Sequence, residues 1–248
     1  MPLPYAYLCL CCAATLTVVA AAEAAPKAAP PIRVLVVTGG HDFEEKPFWA
    51  MFSSLPGLEI RPVAHPKAQA LLKPSEAGSY DVVVLYDMWQ DADEQARADF
   101  AGLIRGGKGL VALHHSLCGY DNWPEYHQII GGQYHHQPYQ LRGVAQPAST
   151  YKHDVLVPVH VVDPRNPVTK GVSDFELKEE TYHGFTVDPK VKPLLTTTEP
   201  TSEPTIGWAH TYGKSRVVYL ALGHDHVAYA HPSYRRLLLQ AIRWAARR

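Results

Sequence analysis

The chain has 248 residues, with 23 Lys and Arg against 24 Asp and Glu and a formal net charge of -1. That balance gives no electrostatic reason to expect a nucleic-acid partner or an anionic membrane surface. At 46% apolar residues, the chain is long enough to bury the core of one large domain or two small ones.

Residues 1–25 contain no Lys or Arg and carry an apolar run from Tyr5 to Ala22 that ends in small residues. This reads as a secretory signal peptide removed from the mature protein; an uncleaved membrane anchor is the alternative. Residues 26–31 (PKAAPP) read as a linker, and 32–248 as one α/β domain. The expectation is an exported protein, periplasmic or secreted, without stable membrane insertion after cleavage. Of the four cysteines, Cys9, Cys11 and Cys12 lie in the leader. The mature chain keeps Cys118 alone, so it has no internal disulfide.

The domain opens with Ile32 to Thr38, a continuous β-branched run that predicts a strand buried on both faces. It stops at Gly39-Gly40. Pro47 to Leu55 predicts a helix, with Phe48, Trp49, Met51 and Phe52 on its apolar side. Leu58 to Pro62 and Tyr80 to Tyr86 predict further strands. Asp93 to Ile104 predicts a helix closed by Gly106-Gly107. Gly109 to Leu113 is the next strand, and Trp123 to Ile130 a short helix. From Tyr139 to Thr198 the pattern reads as an irregular, β-rich insertion, including Asp154 to Val162 and Lys192 to Thr197. Arg216 to Leu222 returns to a buried strand, and Ser233 to Ala246 predicts a closing amphipathic helix. Two-sided apolar strands alternating with helices mean a mostly parallel sheet covered by helices.

Ligands of such sheets bind beyond the carboxyl ends of the strands. There the sequence places Gly39-Gly40-His41-Asp42, Asp87, His114-His115-Ser116 and Gly223-His224-Asp225-His226. One polar residue ending a strand is commonly a turn or cap; four strands delivering ionisable groups to one edge suggest a site. Glu179 to His183 and Gly132 to His136 are candidates to fold over it, with plain surface loop as the alternative. Imidazoles and carboxylates suit either a metal centre or metal-free acid–base work. His114 and His115 are adjacent, so at most one is expected to face the site. Neither HExxH nor a pair of CxxC motifs is present. GxSxG, Walker A and a complete dinucleotide fingerprint are also missing, so no nucleotide cofactor is expected. Trp49, Trp89, Trp123 and Trp208 offer flat faces for sugar rings, or simply core.

Together, VLVVTGGHDF, YDVVVLYD, GKGLVALHHSL, the later IIGGQYHH and EETYHGF, and GKSRVVYLALGHD resemble the trehalose-utilisation (ThuA-like) family. That family is a branch of the class I glutamine amidotransferase-like fold, and the resemblance spans about Ile32 to Arg248. It implies a flavodoxin-like three-layer α/β/α fold and work in carbohydrate catabolism, including on 3-keto disaccharides and glycosides. True amidotransferases place a nucleophilic Cys on the elbow after the strand matching GLVAL. Here that elbow reads His114-His115-Ser116, and the amidotransferase His-x-Glu pair is matched by His224-Asp225-His226. Glutaminase activity is therefore not expected.

The expected function is an exported enzyme acting on a keto-glycoside or disaccharide by acid–base chemistry, as isomerase, lyase or hydrolase. A small carbohydrate is its expected partner, and a homodimer remains open. His41, His114 and His224 are the expected metal ligands for a divalent ion such as zinc, manganese or nickel. Glu180 and His183 are the expected base and acid, with Asp87 and His226 in support. The alternatives are a non-catalytic carbohydrate-binding protein that has lost the amidotransferase triad, and hydrolysis through Cys118.

Overall fold

The structure is a computed structural model; it describes residues 1, 3 and 29–248, of which Pro31–Arg248 form one unit. Apart from residues 1 and 3, the expected leader lies outside the described residues, as does the first half of the expected linker. Among the described residues, no helix is long and apolar enough to cross a membrane.

β1 (Ile32–Gly39), β2 (Leu58–Ala64), β3 (Val82–Asp87) and β4 (Gly109–Leu113) are the parallel strands of the first half. Small elements follow: β5 (Gly132–Gln133), β6 (Tyr139–Leu141) and β7 (Val144–Gln146). The remaining strands are β8 (Thr150–Val161), β9 (Phe175–His183), β10 (Thr186–Val187), β11 (Lys192–Thr196), β12 (Thr205–Tyr212) and β13 (Ser215–Leu220). The main sheet runs β2-β1-β3-β4-β13-β12-β11-β8-β9. Its first five strands are mutually parallel, in flavodoxin-like order, and the last four antiparallel. The β-rich middle, expected as an insertion, thus extends the same sheet.

The helices are α1 (Glu45–Ser54), α2 (Glu94–Arg105), α3 (Pro124–Ile130), α4 (His226–Ala230) and α5 (Pro232–Ala245). The chain leaves β1 toward β2 on one side and β3 toward β4 on the other. Right-handed crossovers therefore put α1 and α2 on opposite faces. α1, α4 and α5 pack together, and α2 packs with α3. Between these layers Val34, Val36, Val83, Val111 and Val218 are fully buried, as the two-sided apolar runs require. Asp93 caps α2 by accepting from the Ala96 amide at 2.7 Å, which satisfies one of the free N–H groups of its first turn. β9, β12 and α4 have no individual counterpart among the elements predicted from sequence.

Of the four named tryptophans, Trp208 is core: it is fully buried and donates its Nε1 to the Ile130 carbonyl at 2.8 Å. Trp123 is buried as well, Trp49 packs against the core, and Trp89 stacks on His65 with ring centroids 5.1 Å apart.

His127 in α3 makes a prediction. Burial pushes its imidazole down to about 4 from an ordinary 6.5. Between those two values the unfolded chain binds a proton that the native chain refuses, so stability falls as pH falls through this window. The loss comes to about 3 kcal/mol at ~1.4 kcal/mol per unit. Thermal melts from pH 7 to pH 4 are expected to drop less steeply in His127→Gln than in the parent; equal slopes would contradict a neutral buried His127.

Candidate functional site

β4 ends at Leu113, and the chain turns at once into a short 3-10 segment, His114–Cys118. His114 takes the turn with φ +47°, a left-handed conformation that costs a non-glycine residue free energy and clusters at functional sites. The strand's two-residue alternation stops there, so His114 and His115 both turn inward and are buried. The expectation that at most one of them faces the site is corrected.

The His114 Nδ1 donates to the Ala221 carbonyl at 2.7 Å. That fixes the tautomer and leaves Nε2 with its lone pair. Burial, then the neighbouring His115, holds the ring well below its ordinary pKa and therefore neutral. Nε2 accepts from the Tyr182 hydroxyl at 3.0 Å and lies 3.2 Å from His224 Nδ1. His224 Nδ1 is also 3.1 Å from Glu180 Oε2. His153 Nδ1 meets the same carboxylate oxygen at 2.9 Å from a half-exposed position at the mouth.

β9 sets the carboxylates. Glu180 and Tyr182 are two residues apart and line the same pocket, as the pleat dictates. Glu179 accepts from the backbone amides of Gly223 at 2.5 Å and His224 at 3.2 Å, fastening the loop after β13. Burial nevertheless pushes its carboxyl up to about 8. Gly223 is required in that loop: it has φ +116°, and a Cβ there would lie 2.3 Å from the Tyr234 hydroxyl oxygen.

The sequence-predicted residues divide. His114, His224 and Glu180 come together, with one donor atom of each within 4.8 Å of the others. His41 stands beside this set rather than in it, stacked on His115 with centroids 4.7 Å apart. His183 is exposed; it follows Tyr182 in β9, so the pleat turns it away from Glu180. His226 is exposed and pairs with Glu44, its Nδ1 2.9 Å from Oε2. Asp87 is buried against His65 Nε2 at 3.1 Å and the Ser116 hydroxyl at 3.2 Å. Tyr182, His153 and Glu179 were not singled out; Tyr182 and Glu179 lay within a quoted motif, but only the pairing of β9 beside β8 brings out their roles. Burial holds the Cys118 thiol well above its ordinary pKa, so it lacks the thiolate that a nucleophile needs.

The cluster opens into a cavity of about 290 Å³ bordered by His41, Met88, His115, Tyr134 and Tyr151. A groove of about 740 Å³, around Lys192, His210 and Trp244, lies toward the amino ends of the parallel strands. It is the larger space, but the chemically coupled groups converge on the smaller one.

The family model described as trehalose utilisation, ThuA, matches residues 33–245. The chain belongs to the ThuA family. Solved structures similar to it include a protein described as ThuA-like from Parabacteroides merdae, with a TM-score of 0.72 and 20% identity over 87% of this chain and 90% of that one. A ThuA-like protein from Bacteroides uniformis matches with a TM-score of 0.67 and 20% identity over 89% and 94% of the two chains. A GH42 β-galactosidase from G. stearothermophilus matches over 86% of this chain but 30% of its own, with a TM-score of 0.55 and 11% identity. At these identities the likeness is one of fold. No curated protein matches the chain in sequence. In this ThuA chain the elbow position after β4 is held by His114, and the loop after β13 supplies His224.

Proposed function

We propose that this ThuA-family protein is an enzyme acting on an oxidised sugar, a keto-glycoside or keto-disaccharide, by acid–base chemistry. The observation that carries the reading is the contact of Glu180 with His224 and His153, beside the His114–Tyr182 pair. A sugar ketone acidifies the neighbouring C–H. Glu180 Oε2 is the base that takes this proton, and His153, reaching solvent, exchanges it. To stabilise the developing enolate oxygen, the Tyr182 hydroxyl turns its proton from His114 Nε2 to that oxygen, where an oriented donor offsets the growing charge. Proton return at a different carbon makes an isomerase; loss of the group beyond the carbanion makes a lyase.

The donor set also fits a divalent cation. Two histidines and a glutamate are a zinc-type set with room for a further ligand. The tautomer of His114 is the one a metal ligand needs, since its other nitrogen donates to a carbonyl. His114, His224 and Glu180 would hold the ion, which would supply a Lewis acid for the sugar oxygen. Near-stoichiometric zinc, manganese or nickel is expected by mass spectrometry of the purified protein, lost in His114→Ala and His224→Ala. A protein that stays metal-free after reloading would leave acid–base work by the side chains alone.

The apolar leader of residues 1–25 supports action outside the cytoplasm, in the periplasm or medium. Amino-terminal sequencing of the protein recovered from that fraction is expected to begin between Ala20 and the linker. An intact Met1 would overturn export by cleavage.

A further inference from the structure

His115 is 2% exposed and borders the 290 Å³ cavity beside Glu180 and Tyr182. The Tyr86 backbone carbonyl lies near its ring and favours a proton on that side, and its Nε2 is buried without a partner among the described residues. A buried acceptor left unpaired costs about 1–3 kcal/mol, so this one calls for a partner such as a ligand or an ordered water. Neighbouring donors are already engaged: Tyr182 donates to His114, and Tyr134 to the Ser149 carbonyl at 3.1 Å. A metal ion is a poor occupant here. The adjacent His41 ring is stacked on His115 with 24° between planes. Imidazole lone pairs lie in the ring planes, so those of stacked rings run side by side and do not converge on one ion.

What the lone pair needs is a hydroxyl donor, and its ring lies 5.4 Å from that of His114, centroid to centroid. The remaining wall offers Met88 and the exposed ring of Tyr151, surfaces suited to the C–H faces of a sugar. The cavity volume sits at the bottom of the usual range for ligand pockets, about 300–1,000 Å³. We infer that this pocket encloses a single sugar ring, and that His115 Nε2 is the acceptor that reads one of its hydroxyls. A second ring of a disaccharide then stays outside, at the mouth by Tyr151 and His153. The inference rests on the pocket being a sugar site, and makes His115 a specificity-determining residue rather than a catalytic one.

Calorimetry on the purified protein tests it with D-glucose, its single-deoxy analogues and trehalose. One deoxy analogue is expected to bind about 10–100-fold more weakly than glucose, the range of a hydrogen bond to a buried acceptor. In His115→Phe that discrimination is expected to vanish at the same hydroxyl while the others keep theirs, as a coupled pair requires. A purely structural His115 would weaken every analogue alike. Trehalose is expected to bind no more than about tenfold tighter than glucose, one hydrogen bond's worth at most. Equal binding of all deoxy analogues by the parent protein, tighter trehalose binding than that, or no binding of any of these sugars would overturn the inference. The deoxy series on the parent protein decides even if His115→Phe fails to fold. Binding with the expected discrimination but no turnover of any keto-sugar would sink the proposed enzyme and leave this inference standing. Turnover without discrimination would do the reverse.

Discussion

Glu180→Gln is expected to lower turnover of the keto-sugar by about 10²–10⁴-fold, the usual contribution of a positioned general base, with the fold intact. The carboxylate is nearly buried, and one oxygen meets both His224 at 3.1 Å and His153 at 2.9 Å. Gln has the same shape and can still accept a hydrogen bond, but it cannot carry away a proton. The loss should therefore fall on kcat and leave KM within a few fold, since the removed function acts in the transition state. His153→Ala should cost far less, because a half-exposed shuttle can be replaced by water. Steady-state kinetics with and without added zinc checks both. Retained turnover in Glu180→Gln would remove this residue from the chemistry. A loss cured by excess zinc would assign it to metal holding instead.

Asp87→Ala is expected to destabilise the protein by about 1–3 kcal/mol, the cost of leaving buried hydrogen-bonding groups without their partner. Asp87 is 1% exposed and its two oxygens serve two elements. Oδ2 meets His65 Nε2 after β2, and Oδ1 accepts from Ser116 in the turn after β4. The Asp87 amide in turn donates to the Ser116 hydroxyl at 3.2 Å. The ends of β2, β3 and β4 are thus tied together, and removal leaves His65 buried with only the Tyr120 hydroxyl, 3.5 Å from Nε2, as a partner. Asp87→Asn keeps the shape and part of the bonding, so it should cost less. Urea denaturation followed by fluorescence measures both. If Asp87→Asn abolishes turnover with stability unchanged, Asp87 acts in the reaction and not as a tie.

The parallel half of the fold was legible because its signals are local. β1, β3, β4 and β13 are apolar runs closed by turn residues, and each observed strand lies within two residues of its predicted ends. The antiparallel half was less so. In β8 most residues before Val155 are exposed, and β9 carries five polar residues in a row from Lys178 to Tyr182 apart from its alternation. Such strands are stabilised by their neighbours rather than by their own composition.

By itself, the sequence determined the strand ends at which ionisable groups emerge, because an apolar run must stop where burial stops. It therefore named His41, Asp87, His114 and His224 as candidates, and added Glu180 only from a polar segment expected to fold over the sheet edge. Only the tertiary structure decided which of them touch. His114 enters the cluster through a left-handed backbone turn, and Glu180 through the pairing of β9 with β8. His183 and His226 leave it because the pleat alternates and because Glu44 offers His226 a nearer partner. Proximity between side chains from four separate segments is set by packing, and no local pattern encodes it.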